Sequence, residues 1–269
     1  MIGSSGLVGE SFCRLYSSVY EIVMVDHQNY TEVLKMIKDD DEFYCDCVLF
    51  TAQSSDYKNS LFSKDLFDTN LLLLRETLEV FIDKTKKFIY FSSGSVYESC
   101  ENEINESTPL KYKDKNPYVI SKIASEMMLN TFDDYYQSII VLRPFFIYGK
   151  HQNEQMLFKQ LINKLIHREQ IEIGQDGGLL FNPIYVDDVS KIVKVLIGEV
   201  EPLKQVINIC GKESLYLKDI IFKLAKLLEV KADIVENVTP LKRFLPESKF
   251  EFINKFTSFD KGILDFENF

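Results

Sequence analysis

Tyrosine and lysine stand four residues apart, at Tyr118 and Lys122, in the segment NPYVISKIASEMMLNTF. The segment has helical spacing, so the two side chains are predicted to share one face of a helix. A lysine ammonium beside a tyrosine stabilises the phenolate and lowers the phenol pKa from about 10 toward neutrality. The pair can therefore serve as a general acid and base, although the same spacing is also typical of a solvated helix face.

A serine-rich segment, FSSGSVY at 91–97, ends a predicted strand upstream of this helix. Hydroxyl groups at the carboxyl end of a strand reach the same cleft as a helix-borne tyrosine. There they can hydrogen-bond a substrate oxygen while Tyr118 moves a proton. The serines and the tyrosine together predict a proton-transfer site.

A glycine-rich loop opens the chain as MIGSSGLVGE, with Gly3, Gly6 and Gly9 spaced three apart. This spacing lets a dinucleotide pyrophosphate lie against backbone N–H groups at a helix N-terminus. Asp26 ends the next predicted strand, where a carboxylate accepts hydrogen bonds from an adenosine ribose and repels a 2′-phosphate, which favours NAD over NADP. The alternatives are a simple glycine-rich turn and an aspartate that caps the turn after it.

The elements that must position these residues alternate between short apolar runs and helical patterns, as in a parallel sheet with crossover helices. The predicted strands are 21–25, CVLFTA from 47, KFIYFSS from 87, SIIVLRP from 138 and QVINIC from 205. The predicted helices are 7–18, 31–38, 66–84, the Tyr118 segment, MLFKQLINKLI, NPIYVDDV through 197 and part of SLYLKDIIFKLAKLLEV, before an irregular C-terminal remainder. In such sheets ligands bind beyond the carboxyl ends of the strands.

These elements predict an α/β fold: a doubly wound parallel sheet of the Rossmann type with a smaller, interleaved C-terminal substrate lobe. The predicted NAD-binding domain is 1–146 plus 184–210, and the predicted substrate-binding lobe is 147–183 plus 211–269.

The composition excludes several classes of protein. The net charge of −10 argues against a nucleic-acid partner, which needs clustered Lys and Arg. The three histidines are too scattered to predict a metal site, and no apolar run reaches the roughly 18 residues of a membrane span. Five cysteines without a paired pattern predict reduced thiols in a cytoplasmic protein. They are Cys13, Cys45, Cys47, Cys100 and Cys210.

The glycine loop, the acidic strand end, the serine-rich strand end and the Tyr/Lys helix occur in one order with near-fixed spacing. This set resembles the extended short-chain dehydrogenase/reductase family, in its nucleotide-sugar epimerase/dehydratase branch. The likeness covers nearly the whole chain. It extends to TAQ at 51–53, Asn70 at the start of the long helix, ESTP at 106–109, LRPFFIYG at 142–149 and NPIYVDDV at 182–189.

The resemblance implies an NAD-dependent enzyme that epimerises a nucleotide sugar at C4 through a transient 4-keto sugar. It implies Ser93 as the catalytic hydroxyl, Tyr118 as the general base and Lys122 as its electrostatic partner. The implied cofactor-binding residues are Gly3, Ser5, Gly6, Leu7, Val8, Gly9, Asp26, Ala52, Asn70, Phe91, Tyr118, Lys122, Pro144 and Phe145. The implied substrate contacts are Ser95, Phe146 and Tyr185. A homodimer formed through the 66–84 and Tyr118 helices is also implied.

One departure from the family pattern narrows the reaction. Dehydratases of the family carry Asp-Glu where this chain has Gly94 and Ser95, so the resemblance does not favour loss of water. Two enzymatic alternatives remain: an epimerase and an NAD(P)H-dependent nucleotide-4-ketosugar reductase.

Other departures concern the ligands. Phe146 replaces a family asparagine, and Leu179 and Leu180 stand where many members place an arginine for the substrate diphosphate. Either Lys150 or Arg168 takes over that contact, or the substrate differs. A catalytically weak relative that binds dinucleotide or sugar nucleotide therefore remains a third alternative.

The interval between Asp26 and the CVLFTA strand is short for the family. Asp26 could therefore match a second family aspartate that contacts adenine, which keeps NADP open as an alternative. Only Met1 and Ile2 precede the glycine loop, whereas such a loop normally follows a central strand of about five residues. We therefore expect the natural chain to begin several residues upstream with an apolar run.

Overall fold

The computed structural model describes residues 1–54, 56, 62–98, 103–247 and 256–267, which belong to two compact units. The first unit comprises Met1–Glu98, Pro109–Pro144 and Ser190–Ile207, and the second comprises Ser99–Thr108, Phe145–Val189 and Asn208–Phe269. These units differ from the predicted domains at 99–108, 145–146, 184–189 and 208–210. The assignment of cofactor to one unit and substrate to the other stays a prediction.

The secondary structure alternates between strands and helices along the described residues. The strands are β1 (Val48–Phe50), β2 (Lys87–Phe91), β3 (Ser138–Pro144), β4 (Ile147–Tyr148), β5 (Ile171–Ile173), β6 (Leu179–Phe181), β7 (Ile184–Tyr185), β8 (Lys204–Ile209), β9 (Leu215–Tyr216), β10 (Ile234–Glu236) and β11 (Lys242–Phe244). The helices are α1 (Leu7–Tyr16), α2 (Tyr30–Asp39), α3 (Lys64–Phe67), α4 (Leu73–Val80), α5 (Pro117–Asn130), α6 (Leu157–Ile166), α7 (Val186–Gly198), α8 (Leu217–Leu227) and α9 (Phe259–Gly262).

The first unit is built on a sheet with the strand order β1-β2-β3-β8, in which β1, β2 and β3 run parallel. Ile2 extends the sheet beyond β1, because it forms parallel bridges to both Phe50 and Val25. The chain thus leaves Ile2 toward Val25 on one side and returns to β1 on the other. A reversal of this kind is the point at which open α/β sheets bind ligands.

The short segment in front of the glycine loop occupies a central strand position. The Ile2 N–H donates to the Leu49 carbonyl (2.9 Å), and the Ile2 carbonyl accepts from the Thr51 N–H (2.8 Å). Ile2 is 1% exposed and belongs to the main apolar core. On the other side, the Val25 N–H donates to the Met1 carbonyl (2.9 Å) and the Gly3 N–H donates to the Val25 carbonyl (2.7 Å), so backbone hydrogen bonds anchor the loop on both sides.

The predicted strand at 21–25 is wrong in extent. Of this segment, only Val25 pairs as a bridge, to Ile2, and its N–H donates to the Met1 carbonyl at 2.9 Å. The C-terminal remainder was predicted to be irregular, and this too is wrong. It contains β10, which pairs with β5, β11, which pairs with β6, and the short helix α9. These strands are three residues long, too short to give a periodic sequence signal.

The predicted helix 66–84 is replaced by three consecutive pieces. α3 passes into a π-helical turn at Asp68–Leu72, and α4 follows and ends at Val80. A π turn inserts one residue per turn and rotates the side chains that follow, and such turns occur frequently at functional sites. Apolar spacing alone does not distinguish it from a regular α-helix, because the buried face remains apolar.

The parallel sheet, the crossover helices and the second unit confirm the predicted fold class. The core of the first unit lies between β1–β3 and the helices that pack on them. Its buried members are Ile2, Val25, Leu34, Ile37, Val48, Phe50, Leu74, Leu78, Phe81, Phe88, Tyr90, Leu129, Tyr136, Ile139 and Val141.

Several sequence expectations concern what the chain lacks. Within the described ranges, no helix is long and apolar enough to cross a membrane. In the same residues, no three His, Cys, Asp or Glu side chains gather as metal ligands. Cys13, Cys45, Cys47 and Cys210 are thiols rather than disulfide partners, and Cys100 lies outside the described residues.

Candidate active site

The glycine loop connects Ile2 to α1 through a turn that only glycine fits. Gly3 has a φ of +90°, and a Cβ at this position would lie 2.5 Å from the backbone nitrogen of Ala52. A Cβ on Gly9 would lie 2.3 Å from the Gly3 carbonyl oxygen. The loop is therefore packed tightly against the end of β1 and against the start of α1.

The start of α1 presents backbone donors rather than a side-chain cap. Its N-cap is Gly6, which has no side chain to cap the helix. Ser5 and Gly6 are exposed, Leu7 is half-buried, and Val8 is buried. The first amides of a helix point at whatever lies beyond its N-terminus, and there they favour an anion. The loop therefore fits a phosphate group, as its glycine spacing predicts.

Asp26 begins a tight turn after Val25. One carboxylate oxygen accepts the Gln28 N–H at 2.8 Å, and the Asp26 N–H donates to Asn29 Oδ1 at 2.9 Å. The turn-capping alternative is thus realised in the structure. The Asp26 side chain is half-buried. Its contact with a ribose stays a prediction.

Asn70 lies in the π-helical turn and is 1% exposed. Its Nδ2 donates to Ser121 Oγ at 2.8 Å, and its carbonyl accepts from Ser125 Oγ at 2.8 Å, so α5 fixes it in place. Its Oδ1 is buried without a hydrogen-bond partner among the described residues. An unsatisfied buried acceptor is costly, which makes this oxygen a place for a ligand donor.

Ser93 and Ser95 form a compact pair directly after β2. Ser93 is the N-cap of a 3₁₀ turn at Gly94–Val96, and its Oγ accepts the Ser95 N–H at 3.2 Å. The two hydroxyl oxygens lie 2.9 Å apart. The turn exists because a serine at this position satisfies the first backbone donor of the turn. Both side chains are half-buried, which leaves part of each accessible to a substrate.

Tyr118 and Lys122 share one face of α5, as predicted. Asn116 caps the helix by accepting the Tyr118 N–H at 2.9 Å, and Pro117 occupies its first position. Lys122 is buried, and its Nζ lies 6.0 Å from the centre of the Tyr118 ring. The lysine also reaches the end of β2, since Nζ donates to the Phe91 carbonyl at 2.9 Å.

The hydroxyl of a second tyrosine, Tyr90, also lies close to Lys122. Lys122 Nζ lies 3.4 Å from the hydroxyl of Tyr90, a fully buried residue of β2. Burial lowers the pKa of Lys122 to about 7, and the carboxylate of Glu126 opposes this change. Burial raises the pKa of Tyr90 well above its usual range, so Tyr90 stays a neutral phenol. The lysine therefore exchanges its proton near neutral pH while remaining close to Tyr118.

Replacing Lys122 by methionine is expected to stabilise the fold at neutral pH. The pKa of Lys122 falls from 10.5 to about 7 on burial, so the unfolded chain binds an extra proton between these values. Stability of the natural protein accordingly rises with pH across this window. The variant lacks this penalty, and its advantage should be on the order of a few kcal/mol at about pH 7 and vanish toward pH 10.5.

Urea unfolding at several pH values measures this difference. The exposed Lys115→Met variant is the control, since it removes a lysine just before α5 without removing a buried charge. Equal pH dependence of Lys122→Met and the natural protein would contradict the buried-ammonium interpretation.

The remaining predicted residues lie at or beyond the end of β3. Pro144 ends β3, and the Phe145 N–H donates to the Ile209 carbonyl at 2.8 Å. Phe146 has a φ of +46°, and its ring packs 4.2 Å from that of Phe181. Tyr185 is 8% exposed, and its hydroxyl is hydrogen-bonded to a carboxylate of the C-terminal segment. Substrate contact by these residues stays a prediction.

The two candidate replacements for the family's diphosphate-binding arginine also lie in the second unit. Lys150 and Arg168 are both exposed. Arg168 follows the C-cap of α6, His167, and has a φ of +54°. A role for either in binding phosphate stays a prediction.

A sequence model of the NAD dependent epimerase/dehydratase family matches residues 1–210. The chain belongs to this family. The match includes the glycine loop, the serine-rich turn and the helix of Tyr118 and Lys122, and it confirms the resemblance inferred from the sequence.

Individual proteins that resemble this chain share a quarter or less of its residues. An uncharacterized UDP-glucose epimerase of Bacillus subtilis (strain 168), YtcB, is 25% identical over 162 residues, which are 60% of this chain and 49% of that protein. The solved structure of MoeE5 in complex with UDP-glucose and NAD is 20% identical with a TM-score of 0.80, over 98% of this chain and 95% of that one. The UDP-glucose 4-epimerase of Thermus thermophilus, in complex with NAD, is 18% identical with a TM-score of 0.79, over 97% and 95%.

The two solved structures are 20% and 18% identical to this member of the epimerase/dehydratase family, and at these identities they show a shared fold. The aligned region spans about half the length of the Bacillus subtilis relative. Activity and substrate are therefore argued from the site itself.

Sequence reasoning missed two features of the site of this epimerase/dehydratase family member. The sequence predicts Tyr90 as part of the KFIYFSS strand and assigns it no role, although a tyrosine in a strand beside the Tyr/Lys helix is a signal for a further hydroxyl at the site. Glu126, four residues after Lys122, was not singled out, yet the same helical spacing places it on the face that carries Tyr118 and Lys122.

Proposed function

We propose that the protein is an NAD-dependent nucleotide-sugar epimerase that acts at C4 through a transient 4-keto sugar. One observation carries the proposal: Lys122 reaches from α5 to the backbone of β2 two residues before Ser93, with the Tyr118 ring 6.0 Å from its Nζ. The proteins of similar sequence or fold named above are described as UDP-glucose epimerases or are bound to UDP-glucose and NAD.

The first unit fits a bound dinucleotide. The Gly3–Gly9 loop leaves no room for a Cβ at two of its positions, and it directs the N-terminus of α1 outward. The unsatisfied Asn70 Oδ1 is a ready acceptor for a ligand donor. When bound, NAD supplies the acceptor and donor of hydride that an alcohol–ketone interconversion requires. Asp26 favours NAD over NADP in this proposal, because a carboxylate repels a 2′-phosphate.

The residues of the chain supply position and proton transfer. Tyr118 takes the proton of the sugar C4 hydroxyl as the ketone forms, and it returns the proton when the ketone is reduced on its other face. Lys122, with a pKa of about 7, provides a positive charge that stabilises the phenolate. Ser93, paired with Ser95, hydrogen-bonds the same sugar oxygen.

The serine-rich turn supports epimerisation over dehydration. The positions at which family dehydratases carry an Asp-Glu pair hold Gly94, which is buried, and Ser95, which is bonded to Ser93. No carboxylate stands at either position, so this turn offers no acid for the departure of water. A sugar held here is oxidised and reduced at C4 without elimination.

The second unit and the assembly complete the proposal. We assign the sugar-nucleotide contacts to the second unit, with Phe146 and Tyr185 among them, and a homodimer to the helices around α4 and α5. The dimer assignment draws on side chains exposed there, since Leu72 and Met127 are 48% and 59% exposed. A cytoplasmic location is the setting that five unpaired cysteines favour.

The test follows a label through one turnover. The purified protein is incubated with NAD and UDP-glucose deuterated at C4, and the sugars are analysed by mass spectrometry and NMR. An epimerase yields the C4 epimer with deuterium retained, because the hydride that leaves C4 returns to it. UDP-, dTDP- and GDP-sugars of other types follow as a panel.

The alternatives give different results. Stoichiometric consumption of NADH or NADPH with a nucleotide-4-ketosugar would identify a reductase. Binding of NAD without turnover across the whole panel would identify a catalytically weak relative and end the epimerase proposal.

A further inference from the structure

Glu126 places a buried carboxylate on the face of α5 that carries Tyr118 and Lys122. Its side chain is 9% exposed and pairs with Arg143, which is 5% exposed. Arg143 binds both carboxylate oxygens, with Nη2 2.5 Å from Oε2 and Nε 3.0 Å from Oε1. Ser92 Oγ donates a further hydrogen bond to Oε1. The carboxylate thus has partners on two other elements.

Those partners lie at the strand ends that carry the candidate catalytic groups. Ser92 is the first residue after β2 and directly precedes Ser93. Arg143 stands near the end of β3, and its guanidinium lies 4.7 Å from the ring centre of Tyr97, just after the serine-rich turn. Glu126 therefore links the helix, the turn and β3 at one point.

Glu126 also acts on Lys122 through its charge. The groups that face the lysine are the Tyr90 hydroxyl and the Phe91 carbonyl from β2, and Tyr118 and Glu126 from α5. Burial lowers the pKa of Lys122, and the Glu126 carboxylate raises it. Arg143, on β3, holds that carboxylate in place. Among these groups, Glu126 carries the negative charge that favours the ammonium form of Lys122.

We propose that Glu126 is a positioning residue, whose carboxylate fixes Ser92 beside Ser93, ties that turn to the helix of Tyr118 and Lys122, and supplies a negative charge to the buried lysine. The inference rests on the proposed function, in which Ser93, Tyr118 and Lys122 are catalytic. A buried ion pair does not by itself show such a role, because replacing one by apolar groups is often neutral for stability. The effect on the protonation of Lys122 distinguishes the two roles.

The experiment titrates Lys122 directly in the full chain. The protein is labelled with ¹³Cε-lysine, and the Lys122 signal is assigned by its loss in Lys122→Met. Glu126→Gln retains the size of the side chain and one acceptor oxygen but removes its charge. We expect its Lys122 titration midpoint to fall by about one pH unit. The control is Glu79→Gln, from an exposed ion pair with Arg75 on α4, which should leave the midpoint unchanged.

A second variant covers the case in which Glu126→Gln does not fold, because that change leaves Arg143 buried without its partner. The double variant Glu126→Gln/Arg143→Met removes both charges, and the amide introduced at position 126 can still accept a hydrogen bond from Ser92. We expect it to fold and to show a downward shift that is smaller than in Glu126→Gln, because loss of the Arg143 charge acts in the opposite direction. Turnover measured across pH should show the alkaline limit of kcat moving in the same direction, with KM little changed.

The outcomes separate the two proposals. An unchanged Lys122 midpoint in a folded Glu126 variant would overturn the positioning role, even where the natural protein epimerises sugars. A shifted midpoint in a protein without turnover would support the electrostatic link and reject the proposed function.

Discussion

Replacing Tyr118 by phenylalanine is expected to lower kcat by about a hundred- to ten-thousand-fold, the usual contribution of one general acid–base group. The ring remains, so α5 and the packing around Lys122 should be preserved, and NAD binding should change little. Only the hydroxyl that moves the proton is removed. Steady-state epimerisation and NAD titration calorimetry measure the two quantities in the same preparation.

Tyr112→Phe is the matched control, because Tyr112 is 63% exposed and lies before α5 rather than on its catalytic face. It should keep full activity. A Tyr118→Phe protein that retains natural turnover would reject Tyr118 as the general base. Equal loss of NAD affinity and turnover would instead assign the tyrosine to cofactor binding.

Gly3→Ala is expected to abolish measurable NAD binding and to destabilise the first unit by about 2–5 kcal/mol. The new Cβ would lie 2.5 Å from the Ala52 nitrogen, and the backbone at Gly3 has a φ of +90°. The left-handed backbone costs an alanine about 1–2 kcal/mol, and forced overpacking typically adds about 1–3 kcal/mol. Relief requires the loop to leave the end of β1, which moves the amides that would hold the phosphate.

Gly198→Ala provides the control, because a Cβ there meets nothing within 4 Å. Gly198 ends α7, and alanine should leave stability unchanged or raise it by up to about 1 kcal/mol. Urea unfolding and NAD titration check both variants. Natural NAD affinity in a folded Gly3→Ala protein would show that the loop does not hold the cofactor.

The site could be assembled from sequence to the extent that it depends on spacing along one element. Tyr118 and Lys122 are four residues apart on a helix, and this spacing fixes their shared face wherever the helix lies. Ser93 follows a strand, and strand ends in a parallel sheet meet at one edge. A glycine at position 3 indicates a backbone with positive φ, because other residues meet a steric cost in that conformation. These inferences need only local geometry.

The rest required the three-dimensional structure, because it depends on contacts between segments distant in the chain. The π turn that positions Asn70 is stabilised by bonds to Ser121 and Ser125, about fifty residues away, and apolar spacing does not reveal it. Burial of Lys122, and with it a pKa of about 7, follows from packing of α5 on β2. The same packing brings Tyr90 to the lysine.

The N-terminal segment shows the division most clearly. The sequence by itself determined the fold class, the family pattern and the glycine loop, because each is recorded in local spacing and apolar periodicity. It also led us to expect an apolar run upstream of Met1, and that expectation stays a prediction. Only the tertiary structure decided that Ile2 takes the central position, hydrogen-bonded to Leu49 and Thr51 and bridged to Val25. The physical reason is that sheet pairing is a property of neighbouring segments in space, so the place of Ile2 in the sheet depends on hydrogen bonds to segments that are distant in the chain.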